Sequence, residues 1–382
     1  MKFNYVNPTK ILFGQNQIES IADEISSDQK VLVIYGGGSI KINGVYNQVV
    51  SALKNHNWVE FSGVEPNPTR ETLDKAVELV RREKIDYILA VGGGSVIDGS
   101  KYVASSALYE GDGWDIASSK HEVVKALPLG AILTLPATGS ESNGGAVISS
   151  LTTQEKLVFF SPLVQPLFAV MDPDVMKTLP ERQLINGVVD AWVHVCEQYL
   201  TTVNQAYVQD GYAEALLRSL RKLGNDFNQR DSDDWRANLM WSANQALNGL
   251  IGVGVEQDWA THQMGHELTA MFGVDHARSL AIVQPAMLRN QIATKREKLE
   301  QMGVNVFGLE LSEDLAERTI ATIEDFYQSL NVETQLTNYV GEKSQVIENL
   351  CHQIESHNPQ GLGEHQAIKV TDSKAILEAA IK

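Results

Sequence analysis

Four of the nine histidines and one aspartate are spaced as the ligands of a metal ion would be. In "DAWVH", Asp190 and His194 are four positions apart, so they lie on one face of a helix. The stretch "DWATHQMGHELTAMFGVDH" adds His262, His266 and His276. A carboxylate and imidazoles that converge from different helices can bind a divalent cation without any thiolate ligand. The sequence therefore predicts a divalent-metal site in this part of the chain.

Spacing alone does not decide which of these histidines bind the metal. His262 and His266 share a helix face, as the two histidines of zinc metalloproteases do. The H-E-x-x-H signature of those enzymes is nevertheless absent, because Glu267 follows His266 and no glutamate follows His262. This absence disfavours a hydrolase. The remaining histidines lie in polar segments and are predicted to be solvated: His56, His121, His352, His357 and His365.

Two glycine-rich turns each follow a strand-like run, "VLVIYGGGSI" at residues 31–40 and "YILAVGGGSV" at residues 87–96. Neither fits the G-x-G-x-x-G fingerprint, because Lys41 and Ile97 stand where a third spaced glycine is needed. Glycines still let the backbone approach an anion closely, and a helix N-terminus supplies N–H donors. We therefore expect the second turn to hold a pyrophosphate, although either turn alone could be an ordinary strand-to-helix connection.

The first turn also indicates which dinucleotide is bound. Sites specific for NAD usually place an aspartate or glutamate after an early strand, where it binds the ribose hydroxyls. Residues 36–39 here are three glycines and a serine, with Lys41 close by. Such a turn can accept a 2′-phosphate, so the sequence favours NADP over NAD. A third loop, "PATGSESNGG" at residues 136–145, offers hydroxyls and glycines that suit a ribose or an amide.

These motifs must be positioned by a fold in which strands alternate with helices in the first half of the chain. Strands are predicted at residues 30–35, 87–91, 131–136 and 168–173, a hairpin at 146–160, and helices at 45–55, 68–84 and 95–108. This alternation predicts βαβ units and a parallel sheet. From about Glu181 the periodicity is helical. We therefore expect an α/β domain over residues 1–178 and an all-helical domain over residues 179–382.

Length and charge limit the classes of partner. The 382 residues exceed one ordinary core, and the formal charge of −17 comes without a basic tract. Such a surface repels nucleic acid and anionic membranes, so neither is an expected partner. No signal-peptide core or membrane-spanning apolar run is present, and the two cysteines suggest no disulfide framework. A cytoplasmic location is the resulting expectation.

Taken together and in order, "GGGSVID", "PATGSES", "DAWVH" and H-x3-H-x9-H resemble the iron-containing (group III) alcohol dehydrogenases. The resemblance spans essentially the whole chain, including the Pro-Asn-Pro-Thr loop at residues 66–69. It is closest to the branch of NADPH-dependent aldehyde reductases and butanol dehydrogenases, which also carries "YGGGS" and "QDWATH…GHELTA". The resemblance implies a dinucleotide-binding N-terminal domain, a helical C-terminal domain of dehydroquinate synthase-like architecture, and an active site in the cleft.

The same resemblance assigns individual residues. It implies one divalent ion, Fe²⁺ or Zn²⁺, bound by Asp190, His194, His262 and His276. It leaves His266 as a catalytic neighbour near the nicotinamide. The positions that match the cofactor site of the family are Gly37, Gly38 and Ser39 for the 2′-phosphate, Gly93, Gly94 and Ser95 for the pyrophosphate, and Asp98, Thr138, Asn143 and Lys156 as further lining residues.

The activity that this resemblance implies is the reversible reduction of aldehydes to primary alcohols, of the butanal and butanol type, with NADP(H) and in a homodimer. Family members that use NAD often carry an aspartate at the first turn, which this chain lacks. One alternative is a metal-dependent sugar-phosphate cyclase of the dehydroquinate synthase kind. That enzyme needs clustered lysines and arginines for a phosphorylated substrate, whereas the metal region in sequence, "WATHQMGHELTAMFGVDHAR", offers only Arg278, which argues for a neutral substrate. A catalytically silent NADP-binding protein is the other alternative.

Overall fold

The computed structural model describes residues 1–153, 155–203 and 205–382. The chain packs into two compact units. The sheet unit comprises Val6–Gln183 and Arg230–Asn244, and the helical unit comprises Met1–Tyr5, Leu184–Gln229 and Gln245–Lys382. These units are discontinuous in sequence, whereas the predicted domains are two continuous stretches. The predicted boundary between residues 178 and 179 stays a prediction.

A six-stranded parallel sheet forms the centre of the sheet unit. Its strands, with the two strands of a separate hairpin, are β1 (Lys10–Phe13), β2 (Lys30–Tyr35), β3 (Asn57–Phe61), β4 (Tyr87–Gly93), β5 (Leu129–Leu135), β6 (Gly145–Ser150), β7 (Glu155–Phe160) and β8 (Phe168–Met171). The order across the sheet is β1-β8-β5-β4-β2-β3, while β6 and β7 pair antiparallel. The parallel sheet and the hairpin were both predicted from the sequence and are confirmed.

The central strands are continuous apolar runs because both of their faces are covered. In β2, the segment from Val31 to Tyr35 is at most 1% exposed, and in β4 the segment from Ile88 to Val91 is fully buried. Parallel strands enclosed between helices have this composition, in contrast to the alternating pattern of half-exposed strands. The parallel register aligns the carboxyl ends of neighbouring strands, with Tyr35 opposite Val91. Both glycine turns therefore leave the same edge of the sheet.

Helices of the sheet unit lie between the strands in sequence, as βαβ connections require. They are α1 (Ile21–Glu24), α2 (Ser39–Ile42), α3 (Val45–Ala52), α4 (Arg70–Glu83), α5 (Gly94–Ser106) and α6 (Trp114–Ala117). Short 3₁₀ turns occur at Gln17–Ser20, Ser140–Ser142, Pro162–Val164 and Pro173–Thr178. Helix α5 follows directly from β4, so the second glycine turn also forms the start of a helix.

From residue 181 onward the chain is helical, as the sequence predicts. The helices are α7 (Glu181–Tyr199), α8 (Tyr207–Asn225), α9 (Asp233–Ala246), α10 (Ala260–Phe272), α11 (His276–Asn290), α12 (Ile292–Met302), α13 (Leu315–Ser329), α14 (Lys343–His357) and α15 (Val370–Ala380). Short helical turns add Phe227–Gln229, Gly303–Phe307 and Glu364–Gln366. In the described part of this region, β pairing consists of two isolated bridges, Leu336 with Ile381 and Leu362 with Ile368.

Helix α7 is buried over most of its length. All residues from Gly187 to Tyr199 are buried, including the polar residues among them. A helix that is buried on every side must satisfy its polar side chains within the protein.

Across the three described stretches of chain, no helix combines the length and apolar character that crossing a membrane requires.

Replacing Leu89 tests the packing of the central sheet. Leu89 is fully buried in β4, so Leu89→Ala removes apolar contacts and leaves a cavity. We expect the free energy of unfolding to fall by about 2–5 kcal/mol, measured by urea denaturation. Leu151, which is 69% exposed, supplies the control variant Leu151→Ala. Equal stability of both variants would contradict the position of β4 at the centre of the sheet.

Candidate functional site

The first part of the candidate metal site lies on helix α7. Asp190 and His194 occupy successive turns of this helix, and both side chains are buried. Asp190 Oδ1 lies 3.8 Å from His194 Nε2. The i, i+4 spacing read from "DAWVH" therefore brings a carboxylate oxygen and an imidazole nitrogen to the same point on the helix surface.

Two more histidines approach Asp190 and His194 from helices α10 and α11. The ligand atoms of Asp190, His194 and His262 all lie within 4.8 Å of one another. His276, the first residue of α11, places its Nε2 atom 3.7 Å from Asp190 Oδ1. These four side chains form the ligand cluster, which is the name used below for Asp190, His194, His262 and His276.

His266 lies beside the ligand cluster. Its ring centroid is 5.0 Å from that of His276 and 6.3 Å from that of His262. In the described residues, the group of ligand atoms within 4.8 Å of one another contains His262 and not His266. Helix geometry explains the difference, because His266 is one turn further from the start of α10. Spacing alone had left both histidines open as ligands.

The donor set of the ligand cluster fits a divalent transition metal. One carboxylate oxygen and three imidazole nitrogens are the ligand types found around Zn²⁺ and Fe²⁺. Burial supports the assignment, because Asp190, His194 and His262 are 3%, 4% and 7% exposed and a buried group of this polarity needs a compensating charge. The residues present therefore fit a bound cation.

A buried glutamate, Glu197, contacts one member of the ligand cluster, His262. Glu197 Oε2 lies 2.6 Å from His262 Nδ1. Burial, reinforced by the negative charge of Asp258, raises the pKa of Glu197 above that of an ordinary glutamate. Asp258 itself forms a buried ion pair with Lys295, at 2.6 Å. Sequence reasoning missed Glu197, although its position three residues after His194 on the same helix was visible.

Two of the histidines predicted to be solvated are partly buried and bonded. His357 Nδ1 lies 2.7 Å from Glu267 Oε1, with α14 supplying the histidine and α10 the glutamate. His56 Nε2 lies 2.9 Å from the carbonyl oxygen of Ile25. The expectation of solvation was wrong for these two residues, because partners distant in sequence cover them. It was also wrong for His121, which is half-buried and stacks on Tyr109 with ring centroids 3.9 Å apart.

The second glycine turn is closely packed where β4 enters α5. A Cβ atom on Gly94 would lie 2.5 Å from Thr138 Oγ1, and one on Gly92 would lie 2.5 Å from Val96 Cγ2. A Cβ on Gly93 would lie 3.0 Å from Leu135. The turn therefore requires glycine for space, and the first N–H groups of a 13-residue helix follow it. Backbone donors of this kind suit a phosphate.

The first glycine turn is open, and it needs glycine for backbone conformation, whereas the second turn needs it for space. Gly38 has a φ of 98°, a left-handed conformation that favours glycine. A Cβ atom on Gly37 or Gly38 would meet nothing within 4 Å, so space for a ligand exists beside them. Ser39 begins α2 directly after this turn. The hydroxyl and the exposed backbone could hold an anionic group.

An acidic residue, Glu60, lies near the first glycine turn, although it is distant from that turn in sequence. Glu60, on β3, lies 3.4 Å from the Nζ atom of Lys41 and accepts a hydrogen bond from the hydroxyl of Tyr46 at 2.8 Å. The ammonium of Lys41 also lies over the rings of Tyr35 and Tyr46. Lys41 is thus already engaged, so an anion at the first turn depends on the backbone N–H groups and Ser39.

The third loop, residues 136–145, is held by a buried lysine. Lys101 is fully buried in α5 and donates from Nζ to Ser140 Oγ at 2.8 Å, to Asn143 Oδ1 at 3.1 Å and to the carbonyl oxygen of Gly145 at 2.7 Å. Burial lowers the pKa of Lys101 to about 8, against the charges of Asp98 and Glu141. Sequence reasoning missed Lys101, because its partners lie 39, 42 and 44 residues further along the chain.

Thr138 and Asp98, two of the four further residues predicted to line the cofactor site, lie close to the second glycine turn and the third loop. Thr138 lies against Gly94, and its Oγ1 accepts from the backbone N–H of Ser140 at 3.3 Å. Asp98 is buried, which raises its pKa, and its carboxylate accepts from Ser140 Oγ and from the backbone N–H of Val147.

Asn143 and Lys156 complete that set. Asn143 accepts from Lys101 and donates to the carbonyl oxygen of Gly139 at 2.9 Å, which braces its loop. Lys156, on β7, is half-buried and donates to Asn67 Oδ1 at 2.9 Å. Gly93, Gly94, Thr138 and Asn143 are therefore brought together around the start of α5. Lys156 contacts the loop of Asn67, and its charge also opposes the rise in the pKa of Asp98.

Comparison with known proteins identifies the class. Residues 8–173 match the profile of iron-containing alcohol dehydrogenases, and residues 184–381 match that of the C-terminal region of the Fe-containing alcohol dehydrogenase family. Together these matches cover nearly the whole chain. The protein belongs to the iron-containing alcohol dehydrogenase family, as the motifs predicted.

Individual relatives are similar over their full length. The NADPH-dependent aldehyde reductase YqhD of Escherichia coli is 49% identical over 99% of each chain. The NADH-dependent butanol dehydrogenase A of Clostridium acetobutylicum is 38% identical over 97% of each chain. A crystal structure of YqhD from Escherichia coli superposes with a TM-score of 0.96 at 48% identity, over 99% of this chain and 98% of that one. The NADH-dependent butanol dehydrogenase A of Thermotoga maritima gives a TM-score of 0.94 at 36% identity, over 100% and 99%.

Metal content tests the ligand cluster directly. The double variant Asp190→Asn/His194→Ala removes two ligands from α7, so we expect bound metal to fall from about one ion per chain to a small fraction of that. Elemental analysis by mass spectrometry after dialysis measures the content. The control is His352→Ala, which removes an exposed histidine. Full metal occupancy in the double variant would contradict the assigned site.

Proposed function

We propose that this protein is a metal-dependent oxidoreductase that reversibly reduces small aldehydes to primary alcohols, with NADPH as the hydride donor. The observation that carries the proposal is the convergence of Asp190, His194 and His262 within 4.8 Å, in a member of the iron-containing alcohol dehydrogenase family. A relative that is 49% identical is named as an NADPH-dependent aldehyde reductase. Butanal and butanol are the substrate pair that we assign first, because other relatives are named as butanol dehydrogenases.

The choice of NADPH rests on the first glycine turn. Gly37, Gly38 and Ser39 carry no acid, and a carboxylate in this position would repel a 2′-phosphate. The open space at Gly37 and Gly38 supports a phosphate held by backbone N–H groups and the hydroxyl of Ser39. Gly93, Gly94 and Ser95, at the start of α5, would hold the pyrophosphate.

The ligand cluster would hold one Fe²⁺ or Zn²⁺ ion. When bound, the cation supplies Lewis-acid polarisation of the substrate carbonyl, and the reduced nicotinamide supplies the hydride. The contribution of the protein is to fix three imidazoles and one carboxylate in a buried group, so that little reorganisation is needed during the reaction. Glu197 orients His262 through the 2.6 Å contact at Nδ1.

His266 is the residue that we propose to take part in proton movement. Its ring lies 5.0 Å from that of His276, it is half-buried, and it stands outside the group of closest ligand atoms. An imidazole can act as a general acid or base. Reduction of an aldehyde requires one proton for the alcohol oxygen, and His266 would deliver it directly or through water.

We also propose that residues 1–178 carry the dinucleotide function and residues 179–382 the metal function, in a cytoplasmic homodimer. An observation that supports self-association is the edge position of β1 in the sheet. The outer side of an edge strand presents backbone groups that can pair with a second chain. Membership in the family favours the oxidoreductase over the sugar-phosphate cyclase and the silent NADP-binding protein.

Turnover of butanal tests the central proposal. Metal-loaded protein should consume NADPH in the presence of butanal, and chelator-stripped protein should not, because the polarising cation is gone. The loss of the ultraviolet absorbance of the reduced nicotinamide measures the rate, since about one NADPH is oxidised for each aldehyde reduced. NADH in place of NADPH is the control for cofactor preference. No turnover by metal-loaded protein would move the assignment to the cyclase or the silent binder.

The variants His262→Ala and His276→Ala separate the metal role from cofactor binding. Each should abolish turnover while leaving the dissociation constant for NADPH largely unchanged, since these histidines belong to the helical unit and the proposed phosphate-binding turns belong to the sheet unit. A near-normal rate of aldehyde reduction by His262→Ala would contradict the metal role assigned here.

A charge at the first turn tests the 2′-phosphate assignment. Ser39→Asp places a carboxylate where the phosphate is proposed to bind, so like charges would repel. We expect the dissociation constant for NADPH to rise about tenfold or more, while that for NADH changes little. Fluorescence titration measures both constants, and Ser39→Asn is the uncharged control of matched shape. Equal weakening of NADH and NADPH by Ser39→Asp would place the 2′-phosphate elsewhere.

A further inference from the structure

Helix α10, which carries His262, begins without a cap of its own. The residue before its first turn is Trp259, which has a left-handed φ of 67° and makes no capping hydrogen bond with its side chain. The first N–H groups of any helix lack partners within that helix. Here those groups are buried, because Ala260 and Thr261 are fully buried and His262 is 7% exposed. They must therefore find acceptors elsewhere in the protein.

Two carboxylates from outside the helix accept these hydrogen bonds. Asp258 Oδ1 accepts from the backbone N–H of Ala260 at 2.8 Å. Glu197, on α7, accepts from Thr261 through Oε1 at 2.9 Å and from His262 through Oε2 at 3.1 Å. Negative charge is favourable at a helix N-terminus. The carbonyl oxygen of Glu197 also accepts from the backbone N–H of Asp258 at 2.9 Å, so α7 and the start of α10 are joined at several points.

The two acceptors differ in one respect. The carboxylate of Asp258 forms an ion pair with Lys295 and accepts a hydrogen bond from a backbone N–H group. Glu197 additionally meets the imidazole of His262, with Oε2 2.6 Å from Nδ1. A neutral imidazole carries one proton, and an acceptor at Nδ1 keeps the proton on that atom. Nε2 is then the nitrogen with a lone pair for a metal ion.

We propose that Glu197 is a positioning residue that controls metal affinity through one carboxylate with two functions. It fixes the start of α10, and it holds His262 in the tautomer that presents Nε2 to the ligand cluster. Because α7 also carries Asp190 and His194, the same contact sets the separation between the ligands of the two helices. This inference rests on the proposed metal function of the cluster.

A glutamine cannot reproduce this arrangement. Three hydrogens face the carboxylate, from the backbone N–H groups of Thr261 and His262 and from Nδ1 of His262. An amide has one acceptor oxygen and an NH₂ group that only donates. Whichever way the amide of Glu197→Gln is oriented, NH₂ faces a donor. If it faces His262, the imidazole proton must move from Nδ1 to Nε2, which removes the lone pair that the metal requires.

Zinc affinity of the metal-free protein gives the first readout. We expect Glu197→Gln to bind Zn²⁺ about 10- to 100-fold more weakly than the wild type in a competition with a chromogenic chelator. The matched control is Glu214→Gln. Glu214 is also a buried glutamate whose Oε1 accepts from three donors, the hydroxyl of Tyr199 and the amides of Gln301 and Asn305, and it does not contact the ligand cluster. Its variant should keep the zinc affinity of the wild type.

The tautomer of His262 gives a second readout that a merely structural role would not change. Nitrogen-15 NMR of histidine-labelled, metal-free protein distinguishes Nδ1–H from Nε2–H, and His262→Asn identifies the signal. We expect Nδ1–H in the wild type and in Glu214→Gln, and a reduced share of that tautomer in Glu197→Gln, because one of the two amide orientations removes its acceptor. Circular dichroism reports whether each variant folds. If Glu197→Gln does not fold, Glu197→Asp takes its place, because the shorter carboxylate keeps the charge but moves away from Nδ1.

The outcomes separate this inference from the proposed function. A wild-type protein that binds no zinc contradicts the metal function on which both depend. A wild type that binds zinc, with Glu197→Gln equal to it in affinity and tautomer, overturns the role of Glu197 alone. Equal weakening by Glu197→Gln and Glu214→Gln also overturns it, since the loss would then follow from removing any buried carboxylate of the helical unit.

Discussion

A carboxylate taken out of water must be met by hydrogen-bond donors or by a cation, and this requirement shapes both candidate regions. In the helical unit, Asp190 faces three imidazoles, and Glu197 faces the start of α10. In the sheet unit, Asp98 is met by Ser140, the N–H of Val147 and the charge of Lys101. In each region the buried charges are therefore held by specific partners on other elements.

The central strands and the helices could be predicted because their patterns are local. Continuous apolar runs mark β2, β4, β5 and β8, and helical periodicity marks the chain after residue 181. Strand β3 was not predicted, and β1 was expected only as part of a broader N-terminal strand region, residues 3–14. Both lie at the edges of the sheet, and in "KILF" and "NWVEF" no residue is buried. Edge strands lack the covered faces that produce a recognisable apolar run, so their sequences resemble loops.

The site was predictable to the extent that its chemistry is local. Asp190 and His194 follow from a four-residue spacing, whereas the choice between His262 and His266 needed either a resemblance or the structure. The roles of Glu197 and Lys101 were missed, because their partners lie 65 and 42 residues away along the chain. Likewise, the glycine turn at residues 36–39 contains no acid, yet β3 brings Glu60 to Lys41. Only the fold brings such pairs together.

The discontinuous units have a consequence for how this chain can be divided. The backbone passes between the sheet unit and the helical unit four times, and residues 230–244 return to the sheet unit after its main segment has ended. Asn244 in that returning segment donates to Glu141 at 2.8 Å, and Trp241 packs against Phe13. A fragment cut after Gln183 would lack both contacts. Neither unit can therefore be excised, exchanged or fused as a module by a single cut in the gene.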